Sequence, residues 1–116
     1  MSPKAKIFAL SKGFRGRREN CYSFAIRAVH KALQRQYISR RLKKRTMRTL
    51  QIERINNGCR EHNIDYGDFT HQINQEHIYL NRKVLSEFAT HEPRTFMALS
   101  QLAKERQRDG LLAALD

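Results

Sequence analysis

Six cationic side chains stand within nine residues, Arg40, Arg41, Lys43, Lys44, Arg45 and Arg48, separated only by Leu42, Thr46 and Met47. The chemistry open to guanidinium and ammonium groups at that density is neutralisation of a polyanion. On a helix turning about 100° per residue they spread over an arc of roughly 200°, and Leu42, Thr46 and Leu50 fall together on the remaining side. A solvated helix face ordinarily interleaves both signs, because acid–base pairs four residues apart support it. This segment contains no acid, so it repels itself until an external polyanion neutralises it. Arginine adds planar stacking and two-pronged phosphate contacts to the attraction.

A second basic stretch precedes it. "SKGFRGRREN" places Lys12, Arg15, Arg17 and Arg18 around Gly13, Gly16 and Phe14, and reads as an irregular, flexible segment able to follow a phosphate backbone. Arg27, Lys31 and Arg35 continue the charge at helical spacing. Phe14, Tyr22 and Tyr37 lie among these cations and have two readings, helix packing or stacking on unpaired bases. The candidate RNA-binding set is therefore Lys12, Phe14, Arg15, Arg17, Arg18, Tyr22, Arg27, Lys31, Arg35, Tyr37, Arg40, Arg41, Lys43, Lys44, Arg45 and Arg48.

Other chemistry finds little support. Five histidines and two cysteines invite a metal, but Cys21 and Cys59 stand alone, with no paired spacing to set ligand geometry. Cys59 and His62 are three residues apart, a coincidence of spacing that lacks a third group to orient the base. Gly13 and Gly16 follow no strand and match neither standard phosphate-loop spacing. The expectation is a protein that is not an enzyme, with no catalytic residue, metal, cofactor or small-molecule substrate.

The charge is segregated. Residues 1–60 hold 17 Lys+Arg against Glu19 and Glu53, a balance of +15, whereas residues 61–116 hold 6 against 9 Asp+Glu, a balance of −3. A basic arm joined to a near-neutral body is the electrostatic footprint of a nucleic-acid binder. No strongly apolar helical face accompanies the charge, as binding to a membrane surface requires, and no run approaches the roughly 18 apolar residues of a membrane span. Two lone cysteines make no disulfide scaffold and fit free thiols in a reducing compartment. The start of the chain, acid-free up to Glu19, suits a mitochondrial presequence and a basic RNA-binding tail equally well.

Pro3 and Pro93 are the only prolines, so no proline interrupts a helix over most of the chain. Cys21, Ala25, Ala28, Val29 and Ala32 recur at helical spacing. This narrow stripe of small side chains permits close approach of something bulky and cannot build a core alone. One long helix is expected from about 18 to 57, poorly held in isolation. "NNGC" and "HNIDYG" supply cap residues: Asn63 for a left-handed turn, and Asp65 for a short helix through about Asn74. Asn81 starts another helix, with Val84, Leu85 and Phe88 on one face. Pro93 opens the last, with Phe96, Leu99, Leu102 and Ala103 at helical spacing and Gly110 as its stop. With Ile64, Tyr66, Phe69, Ile73, Ile78 and Leu80 these make a small core. The expected fold is all-α: a long basic N-terminal helical arm over 1–57, then a small all-helical domain over 58–116.

At "GFRGRRENCYSFAIRAVHKAL…RRLKKRTMRTLQIERIN", and on through "HNIDYGDF", "LNRKVLSEFA" and "FMALSQLAKE", the chain resembles large-subunit ribosomal protein L-twenty, the bacterial-type family. The likeness runs over about residues 12–108, in order and almost without gaps. It implies a long basic helix threaded into large-subunit ribosomal RNA and a small helical domain on the subunit's surface. By position, Gly13–Arg18 resembles the family's GYxGRR turn, which lies against RNA, and Arg40–Arg45 the segment that passes between RNA helices. The stretch before that turn, "MSPKAKIFALSK", is shorter than in bacterial members. "NCYSFAIRAVHKAL", "EPRTFMALSQLA" and "DGLLAALD" look more like the animal mitochondrial branch. The resemblance thus implies a structural constituent of the large mitochondrial ribosomal subunit, in the mitochondrial matrix, that clamps ribosomal RNA and supports subunit assembly. Ribosomal proteins L-thirteen and L-twenty-one are the implied neighbours. The alternative is a stand-alone basic helical nucleic-acid binder of the nucleoid or RNA-chaperone kind. A DNA architect of that sort needs apolar wedges or a dimer seam, and neither is evident.

Overall fold

The structure, a computed structural model, describes residues 2–115. Among them the helices are α1 (Pro3–Leu10), α2 (Tyr22–Glu61), α3 (Tyr66–Gln75), α4 (Arg82–His91) and α5 (Pro93–Leu115), with a 3-10 turn at Gly16–Arg18 and no strand. The chain is all-helical, as its periodicity predicts. It divides into two compact units, Met1–Lys44 and Arg45–Asp116, and α2 contributes residues to both.

In the first unit, α1 begins where the Ser2 hydroxyl accepts the Ala5 N–H at 3.2 Å and Pro3 takes the first helical position. No element was expected here. The long helix starts later than residue 18, because the chain first closes a tight turn. The Arg17 carbonyl accepts the N–H groups of Asn20 and Cys21 at 3.1 and 2.8 Å, and helical bonding begins with Ala25 N–H donating to Cys21 at 2.8 Å. Of the small-residue stripe, Ala25 and Val29 are buried, together with Ser11, while Cys21, Ala28 and Ala32 are half-buried.

In the second unit α2 runs through Gly58 to Glu61, and so ends four residues beyond its expected end at 57. A Cβ on Gly58 would lie 2.8 Å from the Phe96 ring and 3.2 Å from the Ala89 Cβ. This glycine is therefore a point of close approach inside the helix, and its propensity cost of about 1 kcal/mol is set against that packing. The helix ends in a left-handed turn at Asn63 (φ 59°), with Ile64 N–H bonded to the Cys59 carbonyl and Asn63 N–H to that of Arg60. The end of α3 repeats the arrangement: His77 is left-handed (φ 59°), Ile78 N–H reaches Ile73 and His77 N–H reaches Asn74. In both, the isoleucine after the turn packs into the same apolar cluster as the residue it bonds to.

Asp65 takes the N-cap backbone geometry of α3 without a side-chain bond, whereas Asn81 caps α4 in full, its Oδ1 accepting Val84 N–H at 2.9 Å. Pro93 opens α5 as expected, but Gly110 does not stop it. No Cβ contact or left-handed angle is demanded there, and the following Leu-Leu-Ala-Ala-Leu are good helix formers. The core joins Ile55 and Cys59 of α2, Ile64, Phe69 and Ile73, Leu85 of α4, and Phe96 and Ala103 of α5. Phe69 and Phe96 meet with ring centroids 5.2 Å apart. Leu80, expected inside, is 37% exposed.

Candidate nucleic-acid interface

The basic residues of 11–21 are held by backbone geometry. Phe14 N–H donates to the Ser11 carbonyl at 3.0 Å, and Gly13 and Gly16 adopt φ of 89° and 68°, which side chains other than glycine take at a cost. Around them Lys12, Arg15, Arg17 and Arg18 all project to solvent. Ser11 is fully buried, its hydroxyl donating to Phe8 at 3.2 Å, which anchors the start of the turn.

Across from this turn, α2 presents two neighbouring stripes at i, i+4, i+8. Phe24, Ala28 and Ala32 form one, and Arg27, Lys31 and Arg35 the other. With Phe14, Arg15 and Arg18 they line an open cleft of about 610 Å³. The small side chains noted in the sequence are its floor. Phe24, half exposed at 50%, was not among the candidates. Its place four residues before Ala28, on the stripe beside the three cations, is the signal that would have found it. Arg17 lies instead beside Arg15, Arg18 and Phe24 in a second shallow hollow at the turn.

The other aromatics have partners in the chain. Tyr22 meets Phe8 edge-on at 6.1 Å, and the Lys4 ammonium sits 5.3 Å from its ring centre. Tyr37 carries Arg41, whose guanidinium donates to the phenol oxygen and lies 4.2 Å from the ring centre. That pairing is worth roughly 0.5–1 kcal/mol at an exposed site.

Arg40, Arg41, Lys43, Lys44, Arg45 and Arg48 are all exposed, as is every residue from Leu33 to Thr49. Leu42, placed on the packing side by its spacing, is 47% exposed. The charge is confined more sharply than the sequence halves indicate. Unit Met1–Lys44 carries 13 Lys+Arg against Glu19 alone, a balance of +12; unit Arg45–Asp116 carries ten of each sign, a balance of zero. Lys12, Phe14, Arg15, Arg18, Arg27, Lys31 and Arg35 are thus gathered in one turn-and-helix region, and the Arg40–Arg48 cations follow farther along α2.

Cys59 is fully buried and desolvation pushes its thiol up to about 12, so it is neither a thiolate nucleophile nor a ready ligand. The neighbouring His62 ring packs 6.0 Å from Phe96. Among the described residues no three His, Cys, Asp or Glu side chains gather to hold a metal, and no helix is long and apolar enough to cross a membrane.

Comparison with known proteins supplies the context for this surface. The family profile described as Ribosomal protein L20 matches residues 2–99. The chain is 47% identical over 110 residues to the Large ribosomal subunit protein bL20m of Mus musculus, an alignment covering 95% of this chain and 74% of the mouse protein. The bL20m of Xenopus laevis is 42% identical over the same shares of the two chains. The Large ribosomal subunit protein bL20 of Ehrlichia canis is 44% identical over 100 residues, covering 86% of this chain and 81% of the bacterial protein.

Proposed function

This chain belongs to the ribosomal protein L20 family, and from that premise we propose that the cationic surface of residues 12–48 is what clamps large-subunit ribosomal RNA. The chain is a structural constituent of the large ribosomal subunit, bound to ribosomal RNA and to other subunit proteins, and it is not an enzyme. Its place is the mitochondrial ribosome: the likeness to the animal bL20m proteins extends over 95% of the chain, against 86% for the bacterial relative.

The observation that carries the clamp is the coincidence of two facts. The whole excess of positive charge lies in residues 1–44, and α2, which carries seven of the thirteen cations there, is bare of burial from Leu33 to Thr49. A helix gains most of its stability from tertiary packing of one face, so a bare cationic helix calls for an external anionic partner that neutralises and packs it. The residues we assign to this contact are those of the sequence-derived set, with the body of the chain, from about residue 58, as a separate docking and folding module. The body's core reaches back to Ile55. Ribosomal proteins L-thirteen and L-twenty-one are the neighbours we propose for it, on family resemblance.

The test is co-sedimentation of the full chain with large mitochondrial subunits through a salt series. Retention that falls log-linearly with salt, by roughly 0.7–0.9 per phosphate contact, is the expected result. Retention independent of salt would remove the phosphate clamp, and equal retention on genomic DNA would favour the stand-alone nucleic-acid binder. Against that alternative stands the likeness to large-subunit ribosomal proteins over 95% of the chain.

A further inference from the structure

The cleft between the Gly13–Arg18 turn and the first turns of α2 has a chemistry that phosphate binding alone does not account for. Five cations, Arg15, Arg18, Arg27, Lys31 and Arg35, share it with two phenylalanines. Phenylalanine has nothing to offer a phosphate. Phe24 remains 50% exposed, in surroundings where its apolar area is wetted, and Ala28 and Ala32 beside it leave the space over the helix open.

We propose that this cleft receives a single unpaired nucleotide of RNA, its base stacked on Phe24 against Phe14 and its flanking phosphates held by the surrounding cations. The inference rests on the RNA-clamping reading and adds to it the state of the RNA at this place. The size of the cleft and the chemistry of its lining favour an extruded nucleotide over a duplex. A volume of about 610 Å³ is in the range of small-molecule pockets, about 300–1,000 Å³, and has room for a single base. A duplex keeps its base faces stacked inside and presents ribose and phosphate, leaving both phenyl rings without a partner. Splayed bases, by contrast, are recognised by aromatic faces together with a cationic track for the backbone. Phe14 N–H is bonded to the Ser11 carbonyl and Phe24 stands on α2, so the backbone holds both residues at the cleft before RNA arrives. Tyr22 and Tyr37 are not equivalent to them, since each already holds a cation of the chain.

The test uses the full chain and two labelled probes, a 12-nucleotide uridine-rich single strand and a blunt 12-base-pair RNA duplex, with affinity read by fluorescence anisotropy over a salt series. Phe24→Ala is expected to weaken single-strand binding roughly 5- to 150-fold, the range for loss of one base–aromatic stack, with an unchanged salt slope and unchanged duplex binding. Phe24→Leu keeps apolar bulk and removes the ring face, so it should lose nearly as much. If Phe24→Leu restores full affinity, or if both probes weaken equally, the nucleotide cleft is overturned, and circular dichroism on each variant separates this from loss of helix. Co-sedimentation of the same variants with large subunits keeps the two readings apart. Retention that remains salt-dependent while Phe24→Ala leaves single-strand affinity untouched removes the nucleotide and preserves the clamp. Loss of salt dependence in the wild type removes the clamp itself.

Discussion

From Leu33 to Thr49 every side chain of α2 is exposed, whereas from Leu50 to Glu61 the same helix buries Ile55 and Cys59 and brings Gly58 against Phe96. The backbone is continuous and the chemistry is not. In the exposed part Arg and Lys take seven of the seventeen positions from 33 to 49, with Leu33, Tyr37, Ile38, Leu42 and Met47 exposed among them, and no side chain of the chain's own core constrains the choice. In the buried part it is set by shape, down to a glycine where one methyl group would collide with an aromatic ring. The same helix thus answers to an outside partner in one half and to its own chain in the other. Substitutions in the first should move RNA affinity, and substitutions in the second should move stability.

The largest effect that tests this division is Phe96→Ala. Phe96 is 1% exposed at the centre of the core, and its truncation should cost about 3–5 kcal/mol, enough to abolish the cooperative melt of a unit this small. An unchanged thermal transition would mean that the second unit is not held by this cluster.

Next comes the charge. Replacing Arg41, Lys44 and Arg48 by Gln keeps helix propensity near its original value. At roughly 0.7–0.9 per lost phosphate contact, binding to large-subunit RNA at about 0.1 M salt should fall roughly 100- to 500-fold, with a shallower salt slope. The melt of the second unit should stay in place. Lys83, Arg94 and Arg108, all exposed in the second unit, make the matching control triple. Equal losses from the two triples would show that the charge acts diffusely, and the comparison between regions would break.

The two cysteines are natural reporters, one in each unit. Cys59 keeps its proton to about pH 12 in the folded chain against an ordinary value of 9.0. Below pH 9 both states hold the proton and stability is unaffected. Above it the unfolded thiol ionises first, so stability should fall by about 1.4 kcal/mol per pH unit until the folded thiol titrates. Chemical denaturation of wild type and Cys59→Ala between pH 8 and pH 11 isolates this slope, which the variant should lack. In a thiol-labelling time course at pH 8, half-buried Cys21 should react ahead of Cys59. Equal labelling rates would mean that the second unit opens as readily as the first.

The smallest effect sharpens the account of the body alone. His77 stands in the left-handed turn after α3 with φ 59°, a geometry glycine adopts without strain. His77→Gly should stabilise the second unit by about 0.5–1 kcal/mol, read as a rise in melting temperature. A loss of stability would mean that the contact of the His77 ring with the Tyr79 hydroxyl, 3.0 Å long, outweighs the backbone strain.

What the sequence determined by itself is what acts over a few residues or through total charge. Asn81 and Pro93 announce helix starts because caps and first-turn prolines work within one turn. Asn63 announces a left-handed turn because few side chains tolerate it. The all-helical class, the candidate cations at 12–48 and the family follow from period, charge and the order of short motifs. Tertiary structure decided the rest. Gly58 reads locally as a stop, and only the ring of Phe96, thirty-eight residues farther on, turns it into a packing contact. Ile55 and Cys59 belong to the core because α2 passes under α4 and α5, a relation that periodicity along one segment does not encode. His77 carries no sequence signal for its turn, since it is held there by Ile78 packing into the cluster of Ile73. Phe24 is an ordinary helical aromatic until the turn at Gly13–Arg18 faces it and makes a cleft. Short-range preferences place the helices, but which faces meet depends on long-range packing, and close approach, left-handed strain and clefts exist only where two segments meet.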